Sequence, residues 1–328
     1  MATYKGTHGT KIQNYTSDPA NSLTGQVWYN ATTQTLKVDA GALVGTWATG
    51  NSMNTARRYL AGAGTQTAAL AFGGFIPPHT GVTESYNGTN WTEVNDLTTA
   101  RLSLSGCGTQ TAALAFGGNG GAPAFAAIAV TETWNGTNWT EVNDLNTAKY
   151  ISAGCGTNTA ALSFGGFPGP GPGVQNATET WNGTNWTEVN NLNTARKALA
   201  GAGTNTAALA FGGGSPTVSA ATELWNGTNW TEVNDLNTAR EKLAGCGTQT
   251  AALTFGGLGL PPIGTTALTE TWNGTNWTEG NDLNTARQDL AGAGSNTAAL
   301  GFGGYTPPVT AATEEWSLAG GTVTIDTD

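Results

Sequence analysis

Charge is scarce in these 328 residues: only 10% are Asp, Glu, Lys or Arg, and 12 basic against 22 acidic side chains leave a net charge of −10. That balance argues against nucleic acid as a partner, because phosphate-backbone affinity rests on clustered Lys and Arg that release counterions. Histidine is nearly missing, with only His8 and His79, so no His-based catalytic triad or three-His metal site can be assembled. Cysteine is limited to Cys107, Cys155 and Cys246. Their odd number and their spread over separate repeats make disulfides an unlikely framework and suit folding in a reducing compartment. No stretch approaches about 18 apolar residues, and the opening MATYKGTHGTKIQNYT has no apolar core, so neither membrane insertion nor a secretory leader is expected. Synthesis in a cytoplasm follows as the expectation.

What is abundant is glycine (48) and tryptophan (12), with much Thr, Asn and Ala. This composition describes turns and small-residue strands, hence an all-β chain. The text TETWNGTNWTEVNDLNTA, beginning at Thr131, recurs almost unchanged along the chain. Anchored on the basic residue of N-T-A-R, the copies fall at Arg57, Arg101, Lys149, Arg196, Arg240 and Arg287, spaced by 44, 48, 47, 44 and 47 residues. There are six units. From the basic residue to the second Gly of F-G-G the distance is always 17, and from the Thr of T-E to the next basic residue always 18. All length variation lies between the glycine pair and T-E, which runs 9, 13, 12, 9, 12 and 9 residues.

Each unit reads as four short strands, LAGAGT, TAALAFGG, TETWNG and NWTEV in consensus form, with N-G-T-N as the turn between the last two. Four strands per repeat and a period near 45 predict a propeller blade, with a stacked solenoid as the other architecture. The chain starts its repeats on a fourth strand, around Trp47, and ends them on a third, around Trp316. Pairing those two would close a ring and leave no open edge strand.

A basic residue ahead of the first strand, a glycine doublet ending the second, an aromatic in the third and Trp in the fourth resemble the kelch repeat over roughly residues 45–317. The resemblance implies a β-propeller that serves as a binding scaffold. The sequence departs from the kelch pattern in placing the aromatic 12 to 16 residues after the doublet, and in using Trp for the usual Tyr in most units. Residues 1–44 differ in character: GQVWYNATTQTLKV alternates like a β-hairpin with NATTQ as its turn. The pattern G-x-V-W-Y-N followed by L-K-V resembles short N-terminal modules of tail-fibre and other virion-associated proteins of tailed bacteriophages, especially marine ones. The expected fold is therefore a six-bladed, kelch-type propeller of four strands per blade, closed by an N-terminal strand. It follows a hairpin attachment module at 1–44 and precedes a tail at 318–328.

Repeated side chains are read as framework. Cys107, Cys155 and Cys246 occupy the position held elsewhere by Ala63, Ala202 and Ala293, so they are small packed groups. The N-T-A-R basic residue is expected to pair with the nearby Asp of N-D-L or to cap carbonyls, worth roughly 0–1 kcal/mol if exposed. The N-G-T and N-W-T sequons are turn residues. The Trp residues form the packing between blades, with Gly and Ala at the narrow hub. No catalytic residues, cofactor or metal are expected.

The segments after F-G-G are different in every unit: FIPPHTGV, NGGAPAFAAIAV, FPGPGPGVQNA, GSPTVSAA, LGLPPIGTTAL and YTPPVTAA. The pairs just after the basic residue vary as well. In a propeller both sets emerge on one face, and binding residues concentrate on loops held by a rigid scaffold. The candidate binding residues are Phe75, Ile76, His79, Phe125, Ile128, Phe167, Leu258, Leu260 and Tyr305 from the loops, all but His79 taken as exposed apolar groups. Arg58, Tyr59, Tyr150, Lys197, Glu241 and Lys242 join them from the pairs. The expected role is a non-enzymatic virion protein, attached to other virion proteins through residues 1–44 and presenting this face to a host-surface glycan or protein. Two other roles stay open: capsid or tail decoration without receptor binding, and polysaccharide degradation by unrepeated carboxylates such as Glu241 and Asp289.

Overall fold

The computed structural model describes residues 12–17, 19, 26–39, 44–120, 126–169, 173–319 and 322–325. Among them there is no helix. The chain forms two compact units, Thr46–Ser317 and a second made from Met1–Gly45 with Leu318–Asp328.

In the second unit, Val27–Asn30 and Thr35–Asp39 form the expected antiparallel hairpin, in register Val27↔Val38 and Asn30↔Thr35. Asn30 closes its turn, its Oδ1 accepting from the backbone N–H of Thr32 at 3.0 Å and of Thr33 at 3.1 Å. Gln13–Tyr15 adds a parallel strand on one side. Thr322–Ile325 pairs antiparallel with Thr35–Asp39 on the other, so the segment read as a C-terminal tail carries a strand of the N-terminal sheet.

The larger unit repeats one four-stranded antiparallel sheet, a β-propeller-like arrangement. In its first copy Ala61–Thr65, Ala68–Phe72, Thr83–Tyr86 and Trp91–Val94 pair in chain order. Sheets of the same order begin at Ser105, Ala153, Ala200 and Ala244. The sheet beginning at Ala291 takes Val44–Gly50, from the other end of the chain, beside Thr313–Ala319. Small residues explain the innermost strands, which lie side by side from one sheet to the next, Ala291–Gly294 also neighbouring Ala61–Thr65. A Cβ on Gly62 would stand 2.6 Å from Phe302 Cζ and 2.9 Å from the carbonyl oxygen of Gly292, so only glycine admits the phenylalanine of the adjacent sheet.

Tryptophan supplies the packing between sheets. Fourth-strand Trp139 is buried, 4.9 Å from the Phe72 ring of the preceding sheet. Its indole N–H donates to Thr83 Oγ1 of that sheet at 3.1 Å. Trp91, Trp186, Trp230, Trp277 and Trp47 make the same bond to Thr313, Thr131, Thr178, Thr222 and Thr269. Third-strand Trp134, Trp181, Trp225, Trp272 and Trp316 are buried and donate to carbonyls of the turn joining the first two strands. Each polar tip is thus satisfied while the ring stays dry.

The basic residues cap carbonyls, as one of the two expectations had it, Arg196 Nη1 donating to the Gly212 carbonyl at 2.8 Å and Arg287 Nη1 to that of Gly303 at 3.0 Å. Their ion-pair partner is not the one expected. Arg57, Arg101, Lys149, Arg196, Arg240 and Arg287 pair with the T-E glutamates Glu84, Glu132, Glu179, Glu223, Glu270 and Glu314 at 2.5 to 3.2 Å. Both side chains of each pair are essentially inaccessible to solvent. The N-D-L Asp instead accepts from the backbone N–H of the T-E Thr, as Asp96 does from Thr83 at 3.0 Å. Asn191 does the same for Thr178 at 3.0 Å. A neutral Asn in this place shows that the hydrogen bond does not need the charge, while Asp96 adds only a longer-range attraction to Arg57, smaller than that of Glu84. The N-G-T-N turn works as expected, Asn87 Oδ1 accepting from Thr89 and Asn90 while Gly88 takes φ +88°. The sequon asparagines also link neighbouring sheets, Asn95 Nδ2 donating to Asn138 Oδ1 at 2.8 Å and Asn143 Nδ2 to Asn185 Oδ1 at 2.8 Å.

The cysteines are free and buried on the innermost strands. Burial pushes the Cys107 and Cys246 thiols up to about 12, which leaves them inert as nucleophiles.

Candidate functional site

Two residues after each basic residue the backbone enters the left-handed region, at Tyr59 (φ 57°), Ser103 (55°), Ile151 (48°), Ala198 (53°), Lys242 (57°) and Asp289 (56°). The reason is a closed circuit of backbone hydrogen bonds. The N–H of Ser103 donates to the Tyr59 carbonyl at 2.8 Å, Ile151 to Ser103 at 2.9 Å, and Ala198 to Ile151 at 2.8 Å. Lys242 then donates to Ala198 at 2.8 Å, Asp289 to Lys242 at 3.1 Å, and Tyr59 to Asp289 at 2.9 Å. An L-residue there costs roughly 1–2 kcal/mol, and a β-branched one such as Ile151 is a genuine outlier. Glycine would remove that cost, and a chain with 48 glycines places none at these positions.

The two variable sets meet beside this ring. The residue after each basic residue bridges the residue after each glycine pair: Arg58 with Phe75, Leu102 with Asn119, Tyr150 with Phe167, Lys197 with Gly214 and Gln288 with Tyr305. Arg240–Glu241 pairs likewise with Leu258–Gly259. The loops therefore fold inward onto the turns, and the apolar side chains read as exposed are mostly half-buried. Phe75, Ile76, Ile128, Phe167, Leu258 and Tyr305 are in that state, as is His79. Leu260 is exposed, together with Ile263, which sequence reasoning passed over. Phe125 lies outside the described residues.

Side chains at the mouth form specific contacts. The Arg58 guanidinium lies 4.7 Å from the ring centre of Tyr305, 5.0 Å from Tyr59 and 5.3 Å from Phe75, an arrangement in which aromatic faces hold the cation. Lys197 Nζ is 5.7 Å from the Phe167 ring centre, and Phe167 packs edge-on against Tyr150 at 5.5 Å. A cleft of about 300 Å³ opens among Tyr59, Leu102, Asn119, Tyr150, Lys197 and Glu241, reaching Ser103, Ile151, Ala198 and Lys242. A smaller cavity of about 90 Å³ shares Tyr59, Ser103, Ile151, Ala198 and Lys242 and adds Asp289 with the leucines below the ring.

Asp289 belongs to one of the variable pairs and was singled out in the sequence only as an unrepeated carboxylate. It is 7% exposed, its Oδ2 has no hydrogen-bond partner, and nearby Arg58 Nε and Gln288 Oε1 are buried without one as well. Burial pushes the Asp289 carboxyl up to about 6, against the pull of Lys242, Arg58 and the Tyr59 hydroxyl and with a smaller push from Glu241. The same environment raises Tyr59 to about 12, burial again first and Asp289 second. A raised folded-state pKa means that ionised Asp289 costs stability above pH 6, and that the cost disappears as the pH falls toward 4. We expect Asp289→Asn to stabilise the protein more at pH 7.5 than at pH 4.5, as read from thermal melts at the two values. Equal shifts would show that the carboxyl titrates normally.

Among the described residues no group of three or more His, Cys, Asp or Glu side chains could hold a metal ion. No helix of the described residues is long and apolar enough to cross a membrane. No known family model matches the chain, and comparison with curated proteins finds no match.

Proposed function

We propose that residues 46–317 are a six-bladed, kelch-type β-propeller acting as a non-enzymatic binding scaffold whose recognition surface is the mouth around Tyr59, Tyr150, Lys197, Glu241 and Lys242. Closure of the ring is supported by the strand around Trp47 lying beside Thr313–Ala319 and by the circuit of backbone bonds that returns from Asp289 to Tyr59. The observation that carries the binding role is the retention of six different side chains at left-handed positions that glycine would fill at lower cost. Identical backbones with unlike side chains are what a recognition surface needs and what a purely structural ring does not.

The setting we propose is a virion: a tail-associated protein of a bacteriophage, docked to other virion proteins through residues 1–44 and meeting a host-surface glycan or protein through the mouth. The resemblance of the N-terminal hairpin pattern to virion modules supports it. The test strips the mouth without disturbing its backbone, replacing Tyr59, Ile151, Lys242 and Asp289 by glycine together. We expect melting temperature to hold or rise while binding of the labelled protein to host cells is lost; unchanged cell binding overturns the reading. Antibody label on purified particles separates fibre tips from a capsid decoration role.

A polysaccharide-cleaving role has one observation in its favour, the approach of Glu241 to an Asp289 whose carboxyl is raised to about 6. Release of reducing ends from host polysaccharide, abolished by Asp289→Asn, would establish it.

A further inference from the structure

Of the twelve Lys and Arg residues in the chain, nine fall between residues 46 and 317, against eighteen Asp and Glu. Six of the nine are consumed by buried pairs with glutamate. The other three are Arg58, Lys197 and Lys242, and all three stand at the mouth, Lys197 and Lys242 lining the 300 Å³ cleft. A body with an excess of acid thus concentrates its remaining cations at one place. Anionic groups are repelled by the rest of such a surface and drawn to that place.

The other groups at the mouth ask for more than an anion. The Oδ2 of Asp289, on the wall of the adjoining smaller cavity, is a buried acceptor without a donor, and an acceptor left so costs free energy until a donor arrives. Glu241 adds a second carboxylate to the cleft wall. Tyr59 and Tyr150 line it with rings that combine an apolar face and a polar tip. The volume is at the lower end of the roughly 300–1,000 Å³ of small-ligand sites, enough for one sugar residue and too little for a chain. An anionic group, several hydroxyl donors and a flat apolar face belong together in a pyranose that carries a carboxylate.

We propose that the mouth binds the acidic sugar residue of a surface polysaccharide, its carboxylate met by Lys197 and Lys242, its hydroxyls donating to Glu241 and, through the adjoining smaller cavity, to Asp289, and its ring lying against Tyr59 or Tyr150. This rests on the mouth being the recognition surface. Calorimetric titration of the full chain with methyl glucuronide, N-acetylneuraminic acid, methyl glucoside and inorganic phosphate tests it. At least one of the two acidic sugars should bind about tenfold or more tightly than the neutral glucoside, the value of one charge-assisted contact, and more tightly than phosphate. The double variant Lys197→Gln, Lys242→Gln should lose that preference while keeping a single cooperative thermal transition, and Lys242→Arg should retain most of it. Equal affinity for the glucoside, tighter binding of phosphate, or no binding of either acidic sugar overturns the proposal. If sugars fail to bind while the glycine-stripped mouth still abolishes cell binding, the recognition surface stands and only its ligand class is wrong.

Discussion

Glu132→Ala should lower the stability of the protein by about 3–5 kcal/mol, the cost of leaving a buried charge without its partner. The Glu132 carboxylate is inaccessible to solvent and receives Arg101 Nη1 at 2.5 Å, the Thr98 N–H at 2.7 Å and Oγ1 at 2.8 Å, and the Thr99 N–H at 3.3 Å. It therefore holds the turn that enters its own sheet as well as neutralising the guanidinium. Burial pulls the Arg101 pKa down and the Glu132 charge is the largest force opposing that pull. Without the carboxylate the guanidinium keeps one protein acceptor beyond its own turn, the Ala115 carbonyl at 3.2 Å. The double variant Glu132→Ala, Arg101→Met should recover part of the loss, because an apolar side chain of similar length needs no partner. Denaturant titration of the two singles and the double measures this; additive losses would mean the pair is not coupled.

Trp47→Ala should cost about 3–5 kcal/mol, as expected for an aromatic truncated in a core, and should match Trp139→Ala within experimental error. The two tryptophans are equivalent in their contacts. Trp139 bonds Thr83 Oγ1 at 3.1 Å and packs 4.9 Å from Phe72. Trp47 bonds Thr269 Oγ1 at 3.0 Å and packs 4.7 Å from Phe255. Their positions in the chain are not equivalent, since Trp47 reaches a partner 222 residues away. A loss near zero for Trp47→Ala would mean that the first strand of the unit is dispensable and that the ring is open. A full loss in a single cooperative transition would mean that both chain ends lie inside one folding unit.

Much of this was legible in the sequence because the repeat reports it many times over. Constant distances of 17 and 18 residues around the basic residue marked the strands and turns, and the observed strands Ala61–Thr65, Ala68–Phe72, Thr83–Tyr86 and Trp91–Val94 fall where alternation and glycine boundaries put them. The interchange of Cys with Ala identified a packed position rather than a reactive one. The partner of the basic residue was misread because Asp96 is five residues from Arg101 in sequence, whereas the true partner, Glu132, is 31 away and reaches Arg101 from the neighbouring strands of its own sheet. Exposure of the variable loops was misread because hydropathy carries no record of the bridges that fold them onto the turns.

The sequence by itself determined the strand order, the turn chemistry and the split between constant and variable text, since these are local and each is written in several copies. Only the tertiary structure decided which charges are buried together, that the backbone turns left-handed at six unlike residues, and that the Asp289 carboxyl is buried beside Arg58, Tyr59, Glu241 and Lys242. Those features depend on contacts between residues far apart in the chain, within a sheet for the charge pairs and between sheets for the backbone bonds, and distance through space is the one quantity that a periodic sequence does not encode.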